Sequence, residues 1–269
     1  STPPFFDQVY TIHAMKFGTS FPCVFGLLPD RKKSMYQQLF KVLQDLAISM
    51  NRTFKPNRIL SDFKPSLILA VASEFPQAVH SGCFFHYTQA IYRRIQILGL
   101  TVAYSQNGEI RICCRKLMAL ALLPLDKVEW AFHDLRTKPP AAVKQTLHQL
   151  FLYFEKQWMT DVPLEIWNVH RYNHRTNNNC EDFHNRLNQR IQKSHLNIWK
   201  FIKCLQSEEN RFRHVLLQMN AGAQARPKSV ATSSIQKRIN TFNNRYNNGE
   251  INVDELLDGL SLIVAKQKR

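Results

Sequence analysis

The sequence predicts an α/β protein with strands of mixed direction, and three observations lead there. Short runs rich in β-branched and aromatic residues at Gln8 to Met15, Phe21 to Leu28, Ile59 to Leu60 and Ala78 to Cys83 read as strands. Apolar residues at helical spacing lie between them, so the order begins strand, strand, helix, strand, helix, strand. With 269 residues and a 44% apolar fraction, the chain is long enough to bury a sizeable core as one or two domains.

Gly18 and Thr19 separate the first two strands at hairpin distance. Ser34 and Gln37 have the spacing of a capping box, followed by Met35, Leu39, Val42, Leu43, Leu46 and Ala47 as one helical stripe. After a loop from Asn51 to Asn57, Ile59 and Leu60 form a short strand bounded by Pro56 and Pro65. Pro65 suits the first turn of a helix running from Ser66 to Phe75. A strand near Ala78 to Cys83 then leads into a helix from Phe84 to Leu98.

From residue 104 to 168 the strand signal fades. Helices are expected at Ile112 to Leu122, Leu125 to Leu135 and Val143 to Trp158, separated by Pro124 and by Pro139-Pro140. Residues 1–103 therefore read as the first part of an α/β core and 104–168 as an all-helical insertion. Residues 169–219 return to the core with helices at Asn178 to Gln192 and Ile198 to Met219. Residues 220–234, without periodicity, read as a linker, and 235–269 as a helical hairpin joined at Asn248-Gly249.

A formal charge of +16, from 36 Lys and Arg against 20 Asp and Glu, points to a polyanionic partner. Nucleic acid leads anionic lipid, because no basic amphipathic helix stands alone; a basic surface that only keeps the protein soluble is the other reading. Six cysteines in a chain of this length do not make a disulfide framework, which suits a reducing compartment. No apolar run approaches the roughly 18 residues that a membrane span needs.

Asp62 stands at the carboxyl end of a strand, the edge where open α/β sheets bind ligands. Capping of the following helix is the competing reading for it. Glu181, in TNNNCEDFHNRLNQR, opens a helix and shares a face with His184, Asn185 and Asn188; there the competing reading is a carboxylate at the helix dipole. Carboxylates drawn from separate elements hold hard cations such as Mg²⁺ for phosphoryl transfer.

The run RILSDFKPSLILAVASEFPQAVHSGCFFHYTQAIYRRIQILGL, followed about eighty residues later by RTNNNCEDFHNRL, resembles the catalytic domain of Mutator-like element (MULE) transposases. The likeness extends from Phe5 to about Leu217. It implies membership of the DDE class and an RNase H-like fold: a mixed sheet flanked by helices, with a helical insertion before the last catalytic residue. By the same likeness Asp62 matches the second catalytic aspartate and Glu181 the closing glutamate, the pair that would hold Mg²⁺ or Mn²⁺. Cys83 and His86 match the family's C-x-x-H motif.

The resemblance also implies cutting and rejoining of double-stranded DNA, at transposon ends and at a target, by a homo-oligomer in the nucleus. In the family the first catalytic aspartate lies on a central strand ahead of the residues that match Thr2 to Phe6. The expectation is thus an amino-terminally truncated fragment lacking that strand and one metal ligand, unable to cleave DNA by itself, with Asp7 the only nearby acid. A domesticated or decayed derivative that binds DNA or protein without catalysis is the alternative, and a nuclease of the same fold acting on RNA hybrids a third reading.

Between His170 and Lys203 seven basic residues face two acids. Arg171, Arg175, Arg186, Arg190 and Lys193 are candidate phosphate contacts, against the reading of a solvated helix face. Trp167, Tyr172 and Trp199 interleave with them and read either as core or as platforms for an unpaired base. Structural zinc held by Cys83, His86, Cys180 and His184 is disfavoured, since Cys180 and His184 would have to serve beside Glu181. Cys113 and Cys114 read as core.

Overall fold

A computed structural model of the chain describes residues 6–192, 197–224 and 229–264. The described residues form two compact units that interleave along the sequence. One draws on Ser1–Asn57, Lys64–Ala78 and Asn177–Pro227, the other on Arg58–Phe63, Val79–Thr176 and Lys228–Arg269.

The first unit is built on a hairpin of β1 (Gln8–Lys16) and β2 (Thr19–Leu28). The strands pair antiparallel, Gln8 opposite Leu28 and Lys16 opposite Thr19. Phe17 and Gly18 both take positive φ, 53° and 72°, the backbone that a two-residue turn needs to match the strand twist. The register slips between Ile12 and His13, where Cys23 is left unpaired beside Pro22. Pro22 has no N–H to give the ladder, so a bulge there costs little.

Alternation along β1 gives the hairpin two buried faces. Tyr10 and Gln8 turn to α1 (Lys33–Ser49), where Tyr10 lies 5.3 Å from the Tyr36 ring and the Gln8 amide donates to the Tyr36 hydroxyl at 3.0 Å. Val9, with Phe25 and Leu27 of β2, packs on Phe183, Leu187, Phe201 and Leu205. These four belong to α9 (Asn178–Gln192) and α10 (Ile198–Asn220), numbered in chain order. α2 (Pro65–Glu74) starts on its proline as expected and lies against α1, with Phe40 and Phe75 in edge contact at 5.1 Å. The predicted capping box at Ser34 and Gln37 does not form. Asp30 accepts from the Lys32 N–H at 2.9 Å and the helix starts earlier, at Lys33; Gln37 instead donates to Ser73 and Glu74 of α2.

In the second unit β3 (Arg58–Ser61) and β4 (Val79–Gly82) run parallel, with Ser61 opposite Gly82. The strands thus form two two-stranded sheets among the described residues, not the single mixed sheet expected. The other regular elements described in this unit are helical and include α3 (Phe84–Ile97), α4 (Thr101–Gln106), α5 (Gly108–Ala119), α6 (Val128–Thr137), α7 (Ala141–Phe154), a π-helix at Glu155–Asp161 and α8 (Leu164–Trp167).

α5 begins four residues ahead of the expected Ile112 because the Asn107 side chain accepts from the Glu109 and Ile110 N–H groups. The core centres on Tyr87, Phe154, Trp158 and Trp167, with the Tyr87 and Trp167 rings stacked at 5.1 Å. Trp167 is therefore core and not a platform for a base. α11 (Val230–Asn247) and α12 (Val253–Ser261) form the expected hairpin, and α11 starts five residues early on a Ser229 cap. The hairpin docks within this unit, burying Ile239, Leu256, Leu257 and Leu260, and Lys116 pairs with Asp258 at 2.6 Å.

Candidate carboxylate and arginine sites

Within the second unit Asp62 follows directly on the last residue of β3 and is half-buried. Its neighbours fix this strand end closely. The Ser61 hydroxyl donates to the Asp62 carbonyl and lies 2.8 Å from His80 Nε2, while the Cys83 N–H donates to the Ser61 carbonyl at 2.8 Å. Burial draws the His80 imidazole down to about 4, against the opposing pull of the Asp62 carboxylate, so His80 is neutral at pH 7.

Cys83 is wholly buried at the start of α3, and His86 is half-buried in the first turn of that helix. Gly82 is required here, because a Cβ would lie 2.2 Å from the Phe63 ring.

The stretch from His170 to Thr176 is tied to the same strands. Arg58 lies over the Tyr172 ring at 3.6 Å, donates to the His174 carbonyl at 2.8 Å and reaches Ser81 Oγ at 3.1 Å. Tyr172 thereby already carries a cation on one face. Arg175 donates to the Tyr172 carbonyl and to Gln236 of α11, at 2.9 and 2.7 Å, and burial lowers its pKa. Arg171 is exposed.

In the first unit Glu181 sits half-buried in the first turn of α9. One turn on, His184 Nε2 lies 2.7 Å from Thr11 Oγ1 of β1. Beside it His13 meets the Phe183 ring edge-on at 5.3 Å and Ser20 Oγ at 2.9 Å. Burial and then the neighbouring His184 pull His13 down to about 4; burial and then Lys64 lower His184. His13 Nε2 is buried with no hydrogen-bond partner among the described residues.

Farther along α9 the geometry changes character. Glu208 of α10 is wholly buried, yet it meets three guanidinium groups: Arg186 at 3.0 Å, Arg190 in closer contact and Arg211 at 3.7 Å. Arg186 and Arg190, both read from the sequence as phosphate contacts, thus converge on one carboxylate. Lys193 lies outside the described residues. Trp199, at the start of α10, is 71% exposed.

Sequence reasoning passed over Glu208, His80 and Arg58. Glu208 carried a signal: it falls in the stripe Phe201, Leu205, Glu208, Phe212, an acid at a core position facing a neighbour helix that bears Arg186 and Arg190 four residues apart. His80 and Arg58 carried none, since their partners come from distant parts of the chain. Asp62 and Glu181 belong to different units. Both offer the hard oxygen donors that Mg²⁺ takes. Among the described residues no group of three or more His, Cys, Asp or Glu side chains lies together as a metal site, for magnesium or for zinc. Nor is any helix among them long and apolar enough to cross a membrane.

Residues 5–90 match the family model of the MULE transposase domain. The resemblance read from the sequence is therefore shown over that segment, which takes in Asp62, Cys83 and His86, while Glu181 and the helical region after α3 lie beyond it. Neither the curated proteins nor the solved structures gave a match.

Proposed function

We propose, starting from the MULE transposase domain that residues 5–90 carry, that this chain is part of a DDE-class transposase with an RNase H-like core acting on double-stranded DNA. The observation that carries the reading is the match itself, with Asp62 inside it at the carboxyl end of β3.

On this reading Asp62 and Glu181 would hold Mg²⁺ or Mn²⁺, which when bound supplies the charge that activates water and steadies the leaving oxygen. The chain's own residues orient the reacting groups. Neutral His80 keeps a second positive charge away from Asp62, and the Cys83 N–H on the Ser61 carbonyl fixes the strand end that presents it. Arg171, Arg186, Arg190 and Lys193 hold the DNA strand, whereas the guanidinium of Arg175 is engaged with Tyr172 and Gln236. Assembly of several copies and a nuclear location belong to the same reading.

The experiment is Mg²⁺-dependent nicking of duplex DNA by this chain and by a chain extended at its amino end, each also as Asp62→Asn and Glu181→Gln. The expected result is nicking by the extended chain that either substitution abolishes. Nicking that survives both substitutions refutes the assignment. No nicking by either chain, with DNA binding retained, favours a transposase-derived DNA-binding domain without catalysis.

A further inference from the structure

We propose that the crossing of α9 and α10 is a binding site for one phosphate group of a nucleic-acid backbone, organised around buried Glu208. A wholly buried carboxylate needs a counter-charge, and one guanidinium satisfies that need. Here three surround it, Arg186 and Arg211 on Oε2 and Arg190 on Oε1. Among the described residues none of the three pairs with any other acid, so the cluster holds two positive charges beyond what Glu208 neutralises. A pair that only clamped two helices together would not accumulate like charges at this density, because each added cation raises the cost of the cluster.

The three arginines differ in position. Arg186 is the inner one, flanked by the Phe183 and Phe212 rings at 5.6 Å, with its Nε buried and without a hydrogen-bond partner among the described residues. Arg190 and Arg211 are the outer ones, their side chains 46% and 51% exposed. Arg211 lies 3.7 Å from Glu208, past hydrogen-bond length, and its guanidinium donates no hydrogen bond among the described residues. Each guanidinium has five N–H donors in a planar fork that fits phosphate oxygens, and Glu208 takes only a fraction of them. Both outer guanidiniums stand against the same carboxylate, Arg190 bonded to Oε1 and Arg211 3.7 Å from Oε2, which gathers their free donors at one place on the helix crossing. Glu208 fixes Arg190 in advance, so less side-chain entropy is lost when the anion arrives.

This inference rests on the nucleic-acid reading above for the identity of the strand, and its test is separate. Affinity for a labelled DNA duplex of about 20 base pairs is followed by fluorescence anisotropy between roughly 50 and 200 mM salt, for the wild-type chain and for Arg190→Ala, Arg211→Ala and Arg213→Ala. Arg213 is the control, on the same helix but paired with Glu209 outside the cluster. Circular dichroism checks that each variant is folded.

Loss of the one phosphate contact lowers the slope of log affinity against log salt by about 0.9 in all, so Arg190→Ala and Arg211→Ala, which each break the shared fork, show a drop of up to that size and Arg213→Ala does not. Equal slopes in the wild type and in both cluster variants overturn the site, as does an equal drop in the control or a wild-type chain that does not bind the duplex. Metal-dependent nicking with unchanged slopes would remove the site and leave the transposase reading standing. A lowered slope without nicking would do the reverse.

Discussion

Replacing Gly82 by alanine tests how tightly the strand end that presents Asp62 is packed. The new Cβ would sit 2.2 Å from Cε1 and Cζ of Phe63, where ordinary contact begins at 3.4 Å. The Phe63 ring cannot simply retreat, because it stands edge-on to Trp158 at 4.9 Å and Trp158 is 1% exposed. Two terms oppose each other. Removing a glycine from a strand stabilises by about 0.5 to 1 kcal/mol, and forcing extra volume into a packed core costs about 1 to 3 kcal/mol. The overpacking term is larger, so a net loss of about 1 to 2 kcal/mol is expected, or about 2 to 8 °C in the unfolding midpoint of a chain this long.

The assay is a double-mutant cycle read by thermal and denaturant unfolding, with Gly82→Ala, Phe63→Leu and the pair together. A smaller residue at position 63 makes room for the added methyl, so the double variant should be more stable than the sum of the single changes predicts, by more than about 0.5 kcal/mol. Gly82→Ala that is neutral or stabilising, or a pair that adds simply, would refute the packing argument. Phe63 directly follows Asp62, so the same cycle reports whether the carboxylate's backbone is held by this contact.

Tyr87→Phe removes a buried hydroxyl that donates to the Leu117 carbonyl at 2.7 Å, and unfolding in denaturant should show a loss of about 0.5 to 1.5 kcal/mol. His13 is held neutral by burial, with its pKa drawn from 6.5 to about 4, so the unfolded chain binds the extra proton first. Its contribution to stability is complete above pH 6.5 and is lost as pH falls towards 4. His13→Gln should flatten the acid side of the midpoint-against-pH curve, and an unchanged curve would contradict the burial argument. The Cys114 thiol is pushed up to about 12 by burial, whereas Cys23 is exposed. Brief alkylation at pH 8 followed by peptide mass spectrometry should find Cys23 labelled and Cys114 untouched until denaturant is added.

Much of the secondary structure was legible because it is written locally. The first hairpin, expected at Gly18 and Thr19 and turning one residue earlier at Phe17 and Gly18, the proline start of α2 and the apolar periodicity of α3, α10 and α12 depend on residues close in sequence. Helix ends were less legible. α1 enters through Asp30 instead of a Ser34 box, and α5 and α11 begin early on Asn107 and Ser229, because several polar residues near each end compete for the same free N–H groups.

By itself the sequence determined the α/β class, the basic surface and the family likeness that residues 5–90 bear out, all of which follow from residue types and spacings. Only the tertiary structure decided how the groups are partnered. It placed Glu208 beneath three arginines, His80 beside Asp62, Arg58 over Tyr172 and Trp167 inside the core, pairings between residues as far apart in the chain as Arg58 and Tyr172. Such contacts are won by burial and charge once the chain has folded back on itself, and apart from the acid in the apolar stripe of Glu208 no local pattern marks them.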